Sequence, residues 1–300
     1  MQRIGIIGVG AMGLAMAQRL RETGHEVAVR DIDPARETLA LESACRVLPS
    51  PAALAAAVDL LIVAVVDAAQ MQAVLFGPDG AFEAMRAGST VLLCATVGPQ
   101  DVERAATTLL ARGIGVLDAP MSGGPQRARA GTMSLMVAGA DNTFQHCLPL
   151  LQALSSRLFR VGFRPGDGAR TKLVNNLLAA VNLAGAAEAL GLAQRLGLDP
   201  AATLAVIEQS SGHSWIASDR ARRALAGDTA VQARLTLLAK DSALACAAAG
   251  VAPLPLGRLA AATFAKAVLL GDSDDAALIS RALASPATAP PLPDAAENAP

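Results

Sequence analysis

Lysine is scarce in this chain. Of 25 cationic side chains only Lys172, Lys240 and Lys266 are lysines; the rest are arginines. A guanidinium stays protonated at any working pH, whereas a buried ammonium can release its proton and act as an acid or base. The three lysines are therefore the first candidates for proton-transfer chemistry, although an Ala- and Arg-rich composition alone would also leave a few scattered survivors. Lys172 lies in GDGARTKLVNN (166–176), a glycine-rich turn that leads into a helix bearing Asn175 and Asn176. At i+3 and i+4 both amides return to the lysine's side of a helix, where they could hold a substrate or orient the ammonium. An asparagine pair serves equally well as a helix kink or an interdomain bond. His25 and His146 read as surface or packing residues. His213, in SSGHSW beside the single tryptophan Trp215, competes with Lys172 for the proton-transfer role.

A second constellation sits at the start of the chain. GVGAMG places Gly8, Gly10 and Gly13 in G-x-G-x-x-G spacing, directly after a predicted strand and at the opening of a predicted helix. The first glycine permits a tight turn, the second lets backbone approach a pyrophosphate, and the third lets helix and strand pack closely. The helix N-terminus, with Ala11 and Met12, offers free N–H groups and partial positive charge to the phosphates. Asp31 ends the next predicted strand, where a carboxylate accepts hydrogen bonds from ribose hydroxyls. It also repels a 2′-phosphate, and Ile32 follows it where an arginine could have held one. NAD is thus favoured over NADP, with Arg30 and Arg36 close enough to temper the choice. The chain has no tyrosine, which excludes a tyrosine-based dehydrogenase.

The elements that must position these residues change character along the 300 residues. Apolar runs at 4–7, 27–29, 60–65, 91–93 and 115–117 alternate with helical patterns at 11–23, 34–43 and 99–112. Such alternation predicts βαβ units and a parallel sheet covered on both faces. Runs at 135–137 and 158–161 extend it. Past Arg164-Pro165-Gly166 the pattern is helical only. A helix of about 168–196 would be a rod of roughly 40 Å, and further helices are expected at 200–209, 236–249, 256–270 and 274–284. The fold class is α/β: an N-terminal Rossmann-like parallel sheet followed by an all-α C-terminal domain, joined by a long interdomain helix. Domains are expected at 1–164 (dinucleotide-binding) and 165–285 (helical, substrate and dimerisation), with the proline-rich 286–300 a disordered tail.

Bulk properties narrow the partners. The chain is 53% apolar, 2% aromatic and has a net charge of −1. It lacks both the basic field and the stacking platforms that nucleic-acid binding requires. Four cysteines, far apart and without ligand spacing, read as buried thiols of a reducing compartment and point to no metal site. The apolar stretch 173–193 has membrane length, but Asn175, Asn176, Asn182 and Glu188 interrupt it, as expected of a buried helix in a cytoplasmic protein rather than a membrane span. Its apolar surface exceeds what one small domain would cover, which favours a homodimer or homotetramer.

Four segments taken together are specific: GVGAMGLAMAQRL (8–20), DAPMSGGPQRARAGTMSLMVAG (118–139), GDGARTKLVNN and KDSALA (240–245). In this order the chain, over about residues 2–284, closely resembles the β-hydroxyacid dehydrogenase family, the group of 3-hydroxyisobutyrate, 2-hydroxy-3-oxopropionate and threonate enzymes. The resemblance implies reversible NAD-dependent oxidation of a small β-hydroxy acid or sugar acid to its semialdehyde or keto acid. It makes Lys172 the general acid/base, with Asn176 favoured over Asn175 as its companion. Ser122, Gly123 and Gly124 match the loop that binds the substrate carboxylate. Val65 and Thr96 match cofactor contacts, and Lys240 a lysine that closes over the cofactor. Asp241 could pair with Lys172 or with nearby backbone, and Lys266 and the arginines Arg127 and Arg129 read as surface. Trp215 is a candidate for the substrate pocket. VVDAAQMQAVLFG, SSGHSW and PLPL look closer to the threonate and hydroxy-oxopropionate subgroups. Met121 replaces a common valine and Cys94 a common acid, and neither removes a group the chemistry needs. Two alternatives stand beside this reading: an imine reductase-like NADPH enzyme, which usually has another residue at the lysine position, and a non-catalytic nucleotide-binding module, whose known forms lack the lysine.

Overall fold

Strand residues in the first half divide by period two between two cores. In the computed structural model, which describes residues 3–271 and 273–284, Ile4, Ile6, Val27, Val29, Leu60 and Ile62 face one buried cluster. Ile7, Ala28, Leu61, Val63, Val91 and Leu93 face the other. Strands buried on both faces must be apolar at every position, which is why they read as unbroken hydrophobic runs.

The strands are β1 (Ile4–Ile7), β2 (Val27–Arg30), β3 (Arg46–Val47), β4 (Leu60–Val63), β5 (Thr90–Leu93), β6 (Gly115–Asp118), β7 (Met121–Ser122), β8 (Met133–Gly139) and β9 (Ser155–Gly162). The first six form a parallel sheet in the order β3-β2-β1-β4-β5-β6, with Ile4 opposite both Val27 and Leu60. This is the doubly wound order, and its crevice for a dinucleotide lies where β1 and β4 diverge. β8 runs antiparallel to β6 and β7, and β9 pairs parallel to β8. Helices Ala11–Glu22 and Asp141–Leu154 cover one face, and Pro51–Ala57, Ala68–Phe76 and Pro99–Ala111 cover the other.

The expected strand over 60–65 stops at Val63. Ala64 and Val65 leave the sheet and close on the first glycine turn: a Cβ at Gly8 would lie 2.7 Å from the Ala64 carbonyl oxygen and 3.3 Å from Val65 Cγ1. Helices at Pro51–Ala57, Ala68–Phe76, Ala81–Ala84, Gly124–Ala130 and Trp215–Leu225 add to those expected from periodicity. The last helix of the described residues starts at Ala277 rather than 274; Asp274 closes the turn before it, its Oδ1 accepting from the Ala276 N–H at 3.0 Å. Residues 286–300 lie outside the described residues.

Among the described residues the chain divides into two compact units, one within 3–177 and 240–253, the other within 178–239 and 254–284. The second has its own core, in which Leu183, Leu190, Leu235, Phe264 and Ile279 are fully buried. Asp167–Arg195 is the one helix among the described residues long and apolar enough to cross a membrane. Its buried positions are spent on protein cores: Ala169 joins the sheet cluster, and Ala180, Leu183, Ala187 and Leu190 the helical one.

Two glycines make opposite predictions. A Cβ at Gly13 would meet the Gly8 carbonyl oxygen at 1.9 Å, whereas one at Gly10, whose φ is −59°, would meet nothing within 4 Å. Gly13→Ala should cost about 2 kcal/mol or more in thermal or urea unfolding. Gly10→Ala should leave unfolding unchanged or slightly improved.

Candidate active site

The cofactor loop follows from local geometry. Gly8 takes φ +89°, and its N–H bonds the Arg30 carbonyl at 2.9 Å, so β1 turns immediately after its last pair with β2. The next N–H, of Val9, donates to Asp31 Oδ2 at 2.7 Å. Asp31 Oδ1 accepts from the Asp33 N–H at 2.9 Å. Gly10 then starts helix Ala11–Glu22 with no side-chain cap and no acid in the first turn. The first-turn N–H groups and the helix dipole are left for a ligand anion, with open space above Gly10 and a carboxylate at the end of β2. That donor set fits a dinucleotide: pyrophosphate on the helix N-terminus, ribose hydroxyls on Asp31.

The second constellation joins two helices. Lys172 and Asn176, one turn apart on Asp167–Arg195, are each 8% exposed. Asp241, 7% exposed on helix Leu235–Ala248, faces them. Its Oδ2 accepts from Asn176 Nδ2 at 2.6 Å and its Oδ1 from Lys240 Nζ at 2.7 Å. Lys240 also donates to the Thr96 carbonyl at 2.6 Å, tying this cluster to the loop after β5. Asn175 donates to Asn176 Oδ1 at 3.0 Å. Of the two asparagines, Asn176 is thus the one turned inward beside the lysine. Asp241 bonds Asn176 and Lys240 and acts on Lys172 through its charge.

Burial drives the Lys172 ammonium down to about 8, against the pull of the Asp241 carboxylate, with the positive charge of Lys240 adding to the fall. An ammonium so placed can exchange its proton near neutral pH, the condition for general acid/base work. Lys266 is exposed on helix Pro255–Leu269. His146 is exposed, and the His25 ring contacts the Thr23 hydroxyl at 3.1 Å. His213 and Trp215 are exposed in the second unit, on a surface cleft of about 340 Å³ shared with Glu208, Ser218 and Arg222.

The Ser122–Gly124 loop is placed by β7, where Ser122 pairs with Ser134. Gly123 and Gly124 take φ of +127° and +75°. Positive φ at both is backbone that side chains rarely adopt, and the glycines leave the N–H groups of this loop unobstructed. The stem of Arg127 packs beneath Gly123, whose Cβ would come within 2.8 Å of Arg127 Cδ, and Arg129 makes a surface ion pair with Glu22. Cys94 is buried and its thiol is pushed up to about 12 by desolvation and by the charge of Asp118, so it carries no thiolate chemistry.

Asp118 is the residue that spacing alone does not reveal. It ends β6, is 1% exposed, and its Oδ2 accepts from the N–H groups of Gly166 and Ala169, both at 2.8 Å. It thereby caps the helix that carries Lys172. Gly168 permits the approach, since a Cβ there would sit 2.8 Å from the Met136 carbonyl oxygen and 2.9 Å from Asp118 Cγ. Asp118 Oδ1 is buried without a partner. Burial raises the acid to about 6, and the helix N–H groups oppose the rise. The available signal was an acid closing an otherwise apolar strand.

Residues 3–162 match the family model of the NAD-binding domain of 6-phosphogluconate dehydrogenase, and residues 166–282 that of the NAD-binding region of NADP-dependent 3-hydroxyisobutyrate dehydrogenase. The L-threonate dehydrogenase of Cupriavidus necator is 37% identical over 93% of this chain and 95% of its own. Among solved structures, the 3-hydroxyisobutyrate dehydrogenase of Salmonella typhimurium is 34% identical with a TM-score of 0.85, covering 94% of this chain and all of that one. Psf3, solved with NADP+ and 2-OPP, is 26% identical with a TM-score of 0.87 over 93% of this chain and 99% of its own. Glycine loop, buried lysine and whole-length relatives together define an NAD(P)-dependent oxidoreductase acting on the CH–OH group of hydroxyacids. The chain belongs to the β-hydroxyacid dehydrogenase family.

The cap makes a signed prediction. Asp118→Ala removes the acceptor of two buried N–H groups and should destabilise by about 2–4 kcal/mol. Asp118→Asn keeps an acceptor and never ionises. The cost of burying the wild-type charge is present above about pH 6 and relieved as pH falls from there towards the unfolded value. Melting temperatures should therefore favour Asp118→Asn over wild type more at pH 8 than at pH 5.

Proposed function

We propose that this enzyme uses NAD to oxidise a small sugar acid or β-hydroxy acid, of which a threonate-like four-carbon acid is the leading candidate, to the keto acid or semialdehyde. The buried Lys172, held near neutrality beside Asn176 and Asp241, carries the proposal. In the oxidation Lys172 Nζ, in its uncharged form, takes the hydroxyl proton. In the reverse direction the ammonium returns it. Asn176, its amide fixed by Asp241, orients the hydroxyl, and the loop Ser122, Gly123 and Gly124, with its unobstructed N–H groups and seryl hydroxyl, takes the substrate carboxylate. When bound, NAD supplies the hydride acceptor. Gly8, Gly10, Ala11, Met12, Gly13 and Val65 would line its pyrophosphate side, Asp31 its ribose, and Thr96 and Lys240 its nicotinamide side.

Support for the threonate-like substrate is the 37% identity to an L-threonate dehydrogenase along the whole chain. Support for NAD is the pinned Asp31 carboxylate, followed by Ile32, 85% exposed. Cytoplasmic location and a homodimer or homotetramer complete the proposal; Val174, Leu178 and Leu192 on the long helix are exposed apolar residues that association would cover. Retention of the lysine weighs against both the imine reductase-like and the non-catalytic readings.

A panel of threonate, glycerate, hydroxyisobutyrate and serine, each with NAD and NADP, tests substrate and cofactor together. Lys172→Ala should lower turnover by about 10³-fold while NAD binding survives; near-normal turnover would remove Lys172 from the mechanism. In the wild type, oxidation should rise with pH through about 8 and reduction should fall. Asp241→Asn removes the charge that holds the Lys172 ammonium up, so the oxidative limb should move to lower pH.

A further inference from the structure

The segment Arg30–Glu37, RDIDPARE, closes β2 and opens the helix Pro34–Glu42. It holds two cations and three acids. Arg36 lies 3.9 Å from Asp33 with both side chains about half exposed, so that pair is weak. Arg30 is placed differently. Its guanidinium donates to Glu37 Oε1 at 2.6 Å and to the Asp31 carbonyl, and both side chains are mostly covered, at 27% and 16% exposure. The same Glu37 oxygen accepts from the Asp31 N–H at 3.1 Å. One carboxylate thus ties up the cation beside the ribose-binding acid and fixes the backbone of that acid.

We propose that Glu37 is a cofactor-specificity residue: it withholds Arg30 from a 2′-phosphate and holds Asp31 where its carboxylate meets the ribose. The inference rests on the NAD reading above and goes a step past it. Asp31 cannot swing aside for a phosphate, because both of its oxygens are engaged by backbone N–H groups of Val9 and Asp33. An arginine accommodates a 2′-phosphate by offering several donors to it. Arg30 has the charge and the position beside Asp31, but its Nη1 is taken up by Glu37 and the Asp31 carbonyl, and the Glu37 carboxylate offsets its charge. Discrimination therefore has a repulsive part, Asp31, and a masking part, Glu37. Glu37 follows Asp31 by six residues on the next helix, so a reading confined to the strand end and the residue after it does not reach it.

Calorimetric titration with NAD+, NADP+, 5′-AMP and 2′,5′-ADP tests this without relying on turnover. The last two probes isolate the adenosine half and differ at the 2′ position. Glu37→Gln keeps an acceptor for the Asp31 N–H and removes the charge. The ratio of the NADP+ to the NAD+ dissociation constant should fall by about tenfold, the scale of one partly screened unit charge at close range. The ratio for 2′,5′-ADP and 5′-AMP should fall alongside it. Adding Arg30→Gln to Glu37→Gln should abolish the gain, and Glu37→Met provides a second route to the same charge removal if the glutamine variant folds poorly. Ratios unchanged within twofold in both variants, or a gain that survives loss of Arg30, would overturn the role of Glu37. The wild-type ratio judges the other reading separately: binding NADP+ as tightly as NAD+ removes the NAD preference, whatever the variants do.

Discussion

One carboxylate oxygen fixes where the chemistry happens. Asp118 Oδ2 holds the first turn of helix Asp167–Arg195 against the end of β6, through the N–H groups of Gly166 and Ala169. Lys172 follows Ala169 by three residues, so its position on the helix is set by that attachment. Burial of the lysine then follows from the depth at which the helix starts, and with it the depressed affinity for a proton. Gly168 is what makes the approach possible, since any side chain there would enter the space of the Met136 carbonyl and of Asp118 itself. Strand end, glycine and helix start form a single mechanical joint.

The second constraint is the exchange of polar partners around Asp241. A buried acid is costly unless paired, and Asp241 meets Lys240 and Asn176 with one oxygen each. The negative charge leaves Lys172 less depressed than burial alone would make it. Burial is what brings Lys172 near neutrality, and the charge of Lys240 close by adds to it. Lys240 is bonded to the Thr96 carbonyl as well, so its ammonium is held by two acceptors, while Lys172 is the buried one.

Much of this was legible in residue order. The doubly wound sheet could be read because strands buried on both faces are apolar throughout, and the glycine loop because each glycine answers a different steric demand. Lys172 and Asn176 could be paired because i+4 is one helical turn. Asp118 escaped because its partners are backbone N–H groups 48 and 51 residues later, and backbone donors leave no mark on composition. Glu37 escaped for a related reason: its partner Arg30 has the look of a free cation until the turn at Asp33 brings the helix back over it. Helix Trp215–Leu225 is not legible in the sequence because its polar, arginine-rich face hides a short buried stripe of Ala217, Ser218 and Ala221. Val65 reads as strand because apolar character does not distinguish a buried strand residue from one turned toward a glycine loop.

The joint at Asp118 has a consequence for how such a chain can change length. Everything between Asp118 and Gly166 leaves the strand end and comes back to the same carboxylate. β7, helix Gly124–Ala130, β8, helix Asp141–Leu154 and β9 therefore hang between two points that touch. An insertion at an exposed bend of that excursion, such as the one at Phe163 and Arg164, lengthens the path without moving either end. The segment can drift in size and decoration over evolutionary time while the lysine keeps its place, as a loop of rope may be let out from a cleat without shifting the boat.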